Sequence, residues 1–417
     1  MISEKKEGFV HSAWLALAVS TLVMIGFYGT ELSFGVFLKP ILEEFHWTRT
    51  MVAGAMSAVI AISGPIGILT GRLTDKYGAR TIIAVGTFFS VLGYVLMFRA
   101  SSLWQLYVYF GLFLGIGISC SWVPLIATVS RLFTEKRVLA IGILTSGLTV
   151  GSMIVPPFTA HFITIYGWRI SFLILAFILL IACLPAIFIL GNYPEGNANN
   201  ATPHVNQKVS IANHVYEQTQ LKEWSASEAV KTLPFLMVIT IGFVTASGFF
   251  SIAVHIVAYA TDMGIPTTSA ALILSFQSIA NIIAKLTVSS FTKKIGSRTT
   301  LVFLIALQAL SLFLFMWATN LWMLFALGAI FGFGLGGSMA IRMSIIPEYF
   351  GTKAVGTLIG IAGVAWGLGG IVGPILAGYI FDTTASYNVA FLMGGLLMLV
   401  GVIAALFLKP PKSILYT

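Results

Sequence analysis

Apolar residues run along this chain in stretches of about twenty, broken by short polar clusters. The stretches lie near 14–38, 51–71, 80–99, 104–130, 137–162, 168–190, 234–259, 268–292, 298–318, 321–346, 354–380 and 387–408. A helix of about twenty residues crosses the roughly 30 Å hydrocarbon core of a bilayer. Backbone groups in lipid must be paired inside the protein, which leaves helices or closed barrels, and no period-two alternation marks a barrel. The pattern predicts an all-α membrane protein of about 12 transmembrane helices. The first stretch, Trp14 to Leu38, is too long for the apolar region of a signal peptide and another span follows it, so no cleavable signal is expected.

Composition agrees. Hydrophobic residues are 58% of the 417 and charged residues only 9%, against roughly 25% charged in a soluble domain. The net charge of +9 invites a nucleic-acid reading. The basic residues stand singly in short loops and form no stripe, so no nucleic-acid partner is expected. They set orientation instead. With the N-terminus inside, the inner loops hold Lys5, Lys6, Arg72, Lys76, Arg80, Arg131, Lys136, Arg137, Lys208, Lys222, Lys231, Lys293, Lys294, Arg298, Lys353, Lys409 and Lys412. The outer loops hold only Lys39, Arg49, Arg99 and Arg169. The expected protein is multi-pass in the plasma (inner) membrane, with both termini cytoplasmic.

The polar, Asn-rich segment 191–233, with Pro194 and Pro203, reads as a cytoplasmic linker between a bundle over 1–190 and a second over 234–417. Within it, Val215 to Val230 has the pattern of a short surface helix. An internal repeat supports the division. Arg80 and Arg298, Gly142 and Gly360, Gly151 and Gly369, and Pro156 and Pro374 are each 218 positions apart. Parallel repeats of six spans place a substrate site between the halves near the midplane, with access alternating by rocking.

Ionisable residues inside spans cost roughly 2.5–3.5 kcal/mol to insert and are functional candidates by default. Glu31, Lys285, Arg342 and His255 stand out. Glu31 is either a proton carrier, because burial disfavours a charged carboxyl, or a structural partner of Lys285. It lies eight residues before Lys39, roughly 12 Å from the predicted outer end. Lys285 either attracts an anion, forms that pair, or snorkels. Asn281, one turn earlier on the same face, offers an amide donor. Arg342, about two turns before Phe350, either snorkels to the interface or faces the cavity as a second cation. His255 titrates near physiological pH or is a satisfied histidine at a helix end. Gly115, Gly117, Gly147, Gly151, Gly332, Gly334, Gly336, Gly363 and Gly367 permit close helix approach. Cys120 and Cys183, isolated in apolar runs, read as buried thiols. No phosphate-binding loop, metal cluster or nucleophile elbow is present. No enzyme, cofactor or metal is expected, and without a nucleotide site a gradient must supply the energy.

The loop Gly71-x-Leu73-x-Asp75-x-x-Gly78-x-Arg80 follows the second span. Its glycines permit turns, and Asp75 can cap a helix end and latch the inner side through a basic neighbour. Otherwise it is a solvated loop that only sets topology. In its echo at 289–298, Lys293 replaces the acid, so any latch is carried by the first half. This loop resembles the signature of the major facilitator superfamily. Three flanking stretches, Ser33 to Arg49, Arg131 to Arg137 and Tyr166 to Phe172, resemble its monocarboxylate-transporter and oxalate/formate-antiporter branch, as does Val254 to Gly264. The resemblance covers nearly the whole chain.

It implies two pseudo-symmetric six-helix bundles. It also implies that Lys285 stands where the branch usually has a substrate-binding arginine, and Asn281 where it often has an acid. His255 would line the outer gate, and Leu32, Trp122 and Leu148 the cavity wall, although such residues more commonly serve packing. Lysine offers a point charge in place of arginine's fork. The implied function is proton symport of a small monocarboxylate such as lactate, with Glu31 or Lys285 taking the proton and a single chain acting alone. The alternatives are organic-anion antiport, proton-driven efflux of lipophilic compounds, and a sensor that moves no solute.

Overall fold

The computed structural model describes residues 2–133, 137–190, 224–351 and 354–411, with side chains from residue 13 onward and without those of Asp75, Arg137 and Val138. The linker residues 191–223, and with them most of the surface helix expected at Val215 to Val230, lie outside the described residues. So do Lys136, Lys208, Lys222, Lys353, Lys412 and the side chains of Lys5 and Lys6. From Trp224 onward the chain makes only one helical turn, α7 (Ala226–Ala229), before the next long helix. Trp224 packs edge-on against Phe350 there.

The first half contains α1 (Ile2–Leu32), α2 (Phe34–Phe45), α3 (Arg49–Met97), α4 (Leu103–Leu106), α5 (Phe113–Leu132) and α6 (Arg137–Ile189). Tyr107–Leu112 links α4 to α5 as a π-helical stretch. The second half contains α8 (Leu233–Asp262), α9 (Thr267–Ile295), α10 (Ser297–Phe315), α11 (Leu321–Phe350), α12 (Val355–Thr384) and α13 (Asn388–Phe407). Side-chain caps begin several of them: Thr48, Thr232 and Asn320 accept from the amides of Met51, Phe235 and Met323.

Eleven helices among the described residues are long and apolar enough to cross a membrane. One, Leu139–Ile189, has 51 residues, or roughly 75 Å at 1.5 Å per residue, enough for two crossings. It breaks at Gly167 (φ 77°, ψ 165°), so the described helices provide twelve crossings. Seven described residues have positive φ, and six form pairs 218 positions apart: His46 with Gly264, Gly78 with Gly296, and Gly167 with Ala385. The sequence repeat is thus a repeat of backbone breaks, and the two bundles are pseudo-symmetric. In the first, α1 packs on α6 and α3 on α5; in the second, α8 packs on α12 and α9 on α11.

Two details differ from expectation. Gly71 lies inside the helical part of α3, where an added Cβ would sit 3.2 Å from Val123. It serves close packing on α5, and only Gly78 (φ 80°, ψ 157°) makes the turn. The first crossing runs from Ala13 to Phe45, well past Leu38. Glu31 is therefore 14 residues, about 21 Å of helix, from its far terminus.

Small residues allow the tightest contacts. A Cβ on Gly336 would fall on the carbonyl oxygen of Asn281. Gly336→Ala is therefore expected to destabilise the second bundle by about 1–3 kcal/mol, the usual cost of overpacking. Thermal unfolding of the detergent-solubilised protein checks this. A midpoint at or above wild type would show that the contact relaxes freely.

Candidate functional site

One end of the molecule carries Arg72, Lys76, Arg80, Arg131, Lys293, Lys294 and Arg298 and is here the basic end; the other is the far end. The halves meet chiefly along two seams, α3 with α12 and α6 with α9, with α2 also packed on α8. The α3/α12 seam is shut toward the far end. A Cβ on Gly378 would lie 2.8 Å from the Thr50 amide nitrogen, and Ser57 donates to the Ile371 carbonyl at 2.8 Å. Gly370 touches Ile60. Toward the basic end, Gly64, Gly67, Gly360 and Gly363 have nothing within 4 Å of where a Cβ would stand. The seam splays, and a cavity opens beside it.

That cavity, of about 480 Å³, lies among α1, α3 and α5, with Tyr28, Ser63, Gly64, Gly67, Gly71, Ser119 and Trp122 on its wall. Trp122 and Val123 carry it into a second space of about 460 Å³ reaching Arg131. Trp122 and Tyr28 meet edge to face at 5.8 Å. Trp122 lines both spaces. Leu32 is buried in the core of the first half, and Leu148 is partly buried beside Thr149.

On the α6/α9 seam, the Lys285 ammonium donates to Thr149 Oγ1 at 3.2 Å. Ser278 and Ser152 hydroxyls meet at 2.9 Å, and Ser275 donates to the Met153 carbonyl at 2.5 Å. Lys285 is only partly buried. Among the described residues no ion pair includes Lys285 or Glu31, so the expected pairing of these two is not formed. Asn281 is buried and its Oδ1 has no partner, and the Oε1 of Gln277 is likewise unpartnered. By the 218-residue repeat, Asn281 and Lys285 correspond to Ser63 and Gly67, both on the cavity wall. The repeat thus puts Lys285 at the cavity's depth on the opposite side of the pseudo-two-fold axis.

Glu31 is 5% exposed and sits just before the interruption of α1 and α2 at Ser33. Arg342 is 2% exposed and does not snorkel. Its guanidinium stacks 4.9 Å from the ring centre of Trp366, and Nη1 is 3.5 Å from Thr245 Oγ1. Its Nε is buried without a partner. Lys285 and Arg342 are thus two interior cations without an acid beside them among the described residues.

His255 belongs to a different cluster at the far end. Its Nε2 lies 2.9 Å from the Pro374 carbonyl and must donate; its Nδ1, 2.9 Å from the Tyr387 hydroxyl, accepts. Neither nitrogen is left for a solute. Tyr387 in turn accepts from Arg49 Nη1 at 2.5 Å, while Arg49 Nη2 pairs with Asp262 at 2.5 Å. The same guanidinium lies 3.5 Å over the Phe381 ring. Asp382 accepts from the amides of Arg49 (2.8 Å) and Thr50 (2.9 Å) and from the Thr50 hydroxyl (2.5 Å). Lys39 adds a 3.4 Å pair to Asp262. This cluster joins the two halves and closes the far end. Arg49, expected in an outer loop as a topology charge, is 8% exposed at the start of α3. Asp262, Asp382 and Tyr387 were not among the expected site residues. The available signal was two acids ending apolar runs on the side poor in cations. Of the signature loop, Arg80 is exposed and the Asp75 side chain lies outside the described residues.

Twelve helical crossings in two pseudo-symmetric bundles, with the seam between them shut at one end and splayed beside a cavity toward the other, define a carrier-type membrane transporter. The chain belongs to the Major Facilitator Superfamily, whose profile matches residues 16–284 and 236–415, a family of transporters and not of enzymes. It is 26% identical to human (Homo sapiens) monocarboxylate transporter 2 over 395 residues, covering 92% of this chain and 82% of that protein. Monocarboxylate transporter 13 of Rattus norvegicus is also 26% identical, over 381 residues, covering 90% of this chain and 83% of that one. A solved bacterial homologue of the human lysosomal transporter Spinster, described as inward-facing and unoccupied, shares the fold with a TM-score of 0.70 at 15% identity, covering 95% of each chain.

Proposed function

We propose that the protein moves a small organic anion, a monocarboxylate such as lactate, together with a proton. The two halves, 1–190 and 234–417, would rock about the central site, with 191–233 linking them. The observation that carries this is Lys285: an ammonium with no acid beside it among the described residues, set on the seam between the halves at the position that the 218-residue repeat pairs with Gly67 on the cavity wall. The similarity to proteins named monocarboxylate transporters supports the same cargo.

A carboxylate arriving through the basic end would compete with Thr149 for the Lys285 ammonium, since an ammonium–carboxylate pair, charged on both sides, is stronger than the ammonium–hydroxyl bond it replaces. The Asn281 amide would add a second donor, and Arg342, stacked on Trp366, would draw the anion inward. Binding therefore loosens one rung of the α6/α9 seam while neutralising a charge. The co-transported proton is either taken by Glu31 or is the one that converts a neutral Lys285 amine to the ammonium that meets the anion, and it completes the charge balance before the cavity closes. In this scheme the signature loop with Gly71, Asp75, Gly78 and Arg80 gates the basic end, and the Arg49–Asp262–Tyr387 cluster gates the far end. The basic end is the cytoplasmic one in a plasma (inner) membrane, by the excess of cations there. One chain holds the whole site and acts as a monomer.

Two interior cations without nearby acids also suit a dianion in exchange for a monoanion. Reconstituted protein decides between the two. Labelled lactate uptake driven by an imposed pH gradient, acid outside, is expected for symport. Uptake only by counterflow, equal with and without the gradient, would establish exchange and refute symport.

A further inference from the structure

We infer that the preferred cargo is a monocarboxylate bearing a flat, ring-sized apolar group: the carboxylate at Lys285 and the ring against Trp122 and Tyr28, over the space left by Gly64 and Gly67. This rests on the anion reading above and narrows it to a cargo class.

The wall of the cavity opposite Lys285 is apolar and aromatic. Trp122 and Tyr28 present rings already set edge to face at 5.8 Å, the arrangement into which a third ring stacks readily. The serine hydroxyls on this wall are turned back to their own helices. Ser63 donates to the Ile60 carbonyl at 3.2 Å and Ser119 to the Ile116 carbonyl at 2.6 Å. A small hydrophilic acid would find few free donors there.

The two glycines point the same way. Glycine weakens a helix interior and is usually kept there for a close helix contact or a positive φ. Gly71, one turn on, has such a contact at Val123. Gly64 and Gly67 have neither: both are helical, and no atom lies within 4 Å of an added Cβ. They keep space open at the cavity surface, and Gly67 is the repeat counterpart of Lys285, at its depth across the axis. The open space of about 480 Å³ beside the two glycines leaves room for a ring-sized group. On the second half, Trp366 stands 6.3 Å from Phe249 and 6.4 Å from Phe250, beneath the Arg342 cation. The second half thus offers rings beside a cation.

The test is competition in proteoliposomes of the full chain, with labelled lactate as tracer and unlabelled lactate or phenylpyruvate as competitor, and binding of each acid followed separately by thermal shift. Phenylpyruvate is expected to halve tracer uptake at a concentration at least tenfold below that of lactate. Gly64→Leu is expected to cut that phenylpyruvate-to-lactate preference at least tenfold, and Gly64→Ala to cut it less. Equal potency of the two acids on the wild type overturns the inference while leaving the anion reading intact, and this comparison needs no variant to fold. An undiminished preference in a folded, monodisperse Gly64→Leu also overturns it. Failure of phenylpyruvate alone to compete or bind likewise overturns only the inference, whereas failure of both acids to bind, with no lactate uptake, sinks the anion reading and the narrower inference with it.

Discussion

Lys285→Ala is expected to lower carboxylate uptake on the order of 10- to 150-fold, the equivalent of the roughly 1.5–3 kcal/mol carried by a hydrogen bond to a charged group. The ammonium is the interior cation placed on the seam, and its present partner is a neutral hydroxyl, Thr149 Oγ1 at 3.2 Å. Nothing else on α9 near that point carries charge. Lys285→Arg keeps the charge and adds a second donor in a planar fork, so uptake is expected to survive with an altered apparent affinity. Thr149→Val separates cargo binding from a purely structural rung. It removes the same cross-seam bond but leaves the cation, so uptake should persist. The measurement is initial-rate uptake of labelled lactate at fixed protein density. Wild-type rates in Lys285→Ala, or equal losses in Lys285→Ala and Thr149→Val, would assign Lys285 to the seam and not to cargo.

Asp262→Asn is expected to open the far end. Arg49 is held there by Asp262 and Tyr387, both at 2.5 Å, and stacked on Phe381 at 3.5 Å, with its side chain only 10% exposed. Removing one partner of a largely buried, hydrogen-bonded charge pair costs about 2–5 kcal/mol. The loss falls only on the conformation in which the pair is made. Even the lower figure shifts the ratio of far-end-open to far-end-closed molecules roughly 30-fold. Lys39, also bonded to Asp262 at 3.4 Å, loses its counter-charge in the same variant. A cysteine placed at Ser57, whose hydroxyl spans the α3/α12 seam to Ile371, reports the change. A membrane-impermeant maleimide added from the far side should label it faster in Asp262→Asn than in the parent. Cys120 and Cys183 are buried and should add little background. Labelling at an unchanged rate in a folded variant would mean that the cluster does not hold the far end shut.

Much of this molecule was legible in the chain. The twelve crossings follow from the thickness of the bilayer and the need to pair every backbone group within a segment; both act locally, so apolar length alone reveals them. The pseudo-symmetry shows in glycine, proline and arginine positions 218 apart, because each helix break needs the same backbone conformation at Gly78 and Gly296. Glu31, Lys285 and Arg342 stand out because a charge in an apolar run is costly wherever it faces.

What only the tertiary structure decided is which of these groups meet. Glu31 and Lys285 share no ion pair among the described residues, and Arg342 stacks on Trp366 instead of reaching an interface. Arg49 reads in sequence as one more loop charge, yet it joins Asp262 and Tyr387, 213 and 338 positions away. Gly71 reads as a turn but is helical, while Gly363 reads as a helix contact but faces open space. Periodicity along one helix states which residues share a face. It carries no information on how two rigid bundles are tilted against each other, and that tilt sets which end is shut and which charges are left for a cargo.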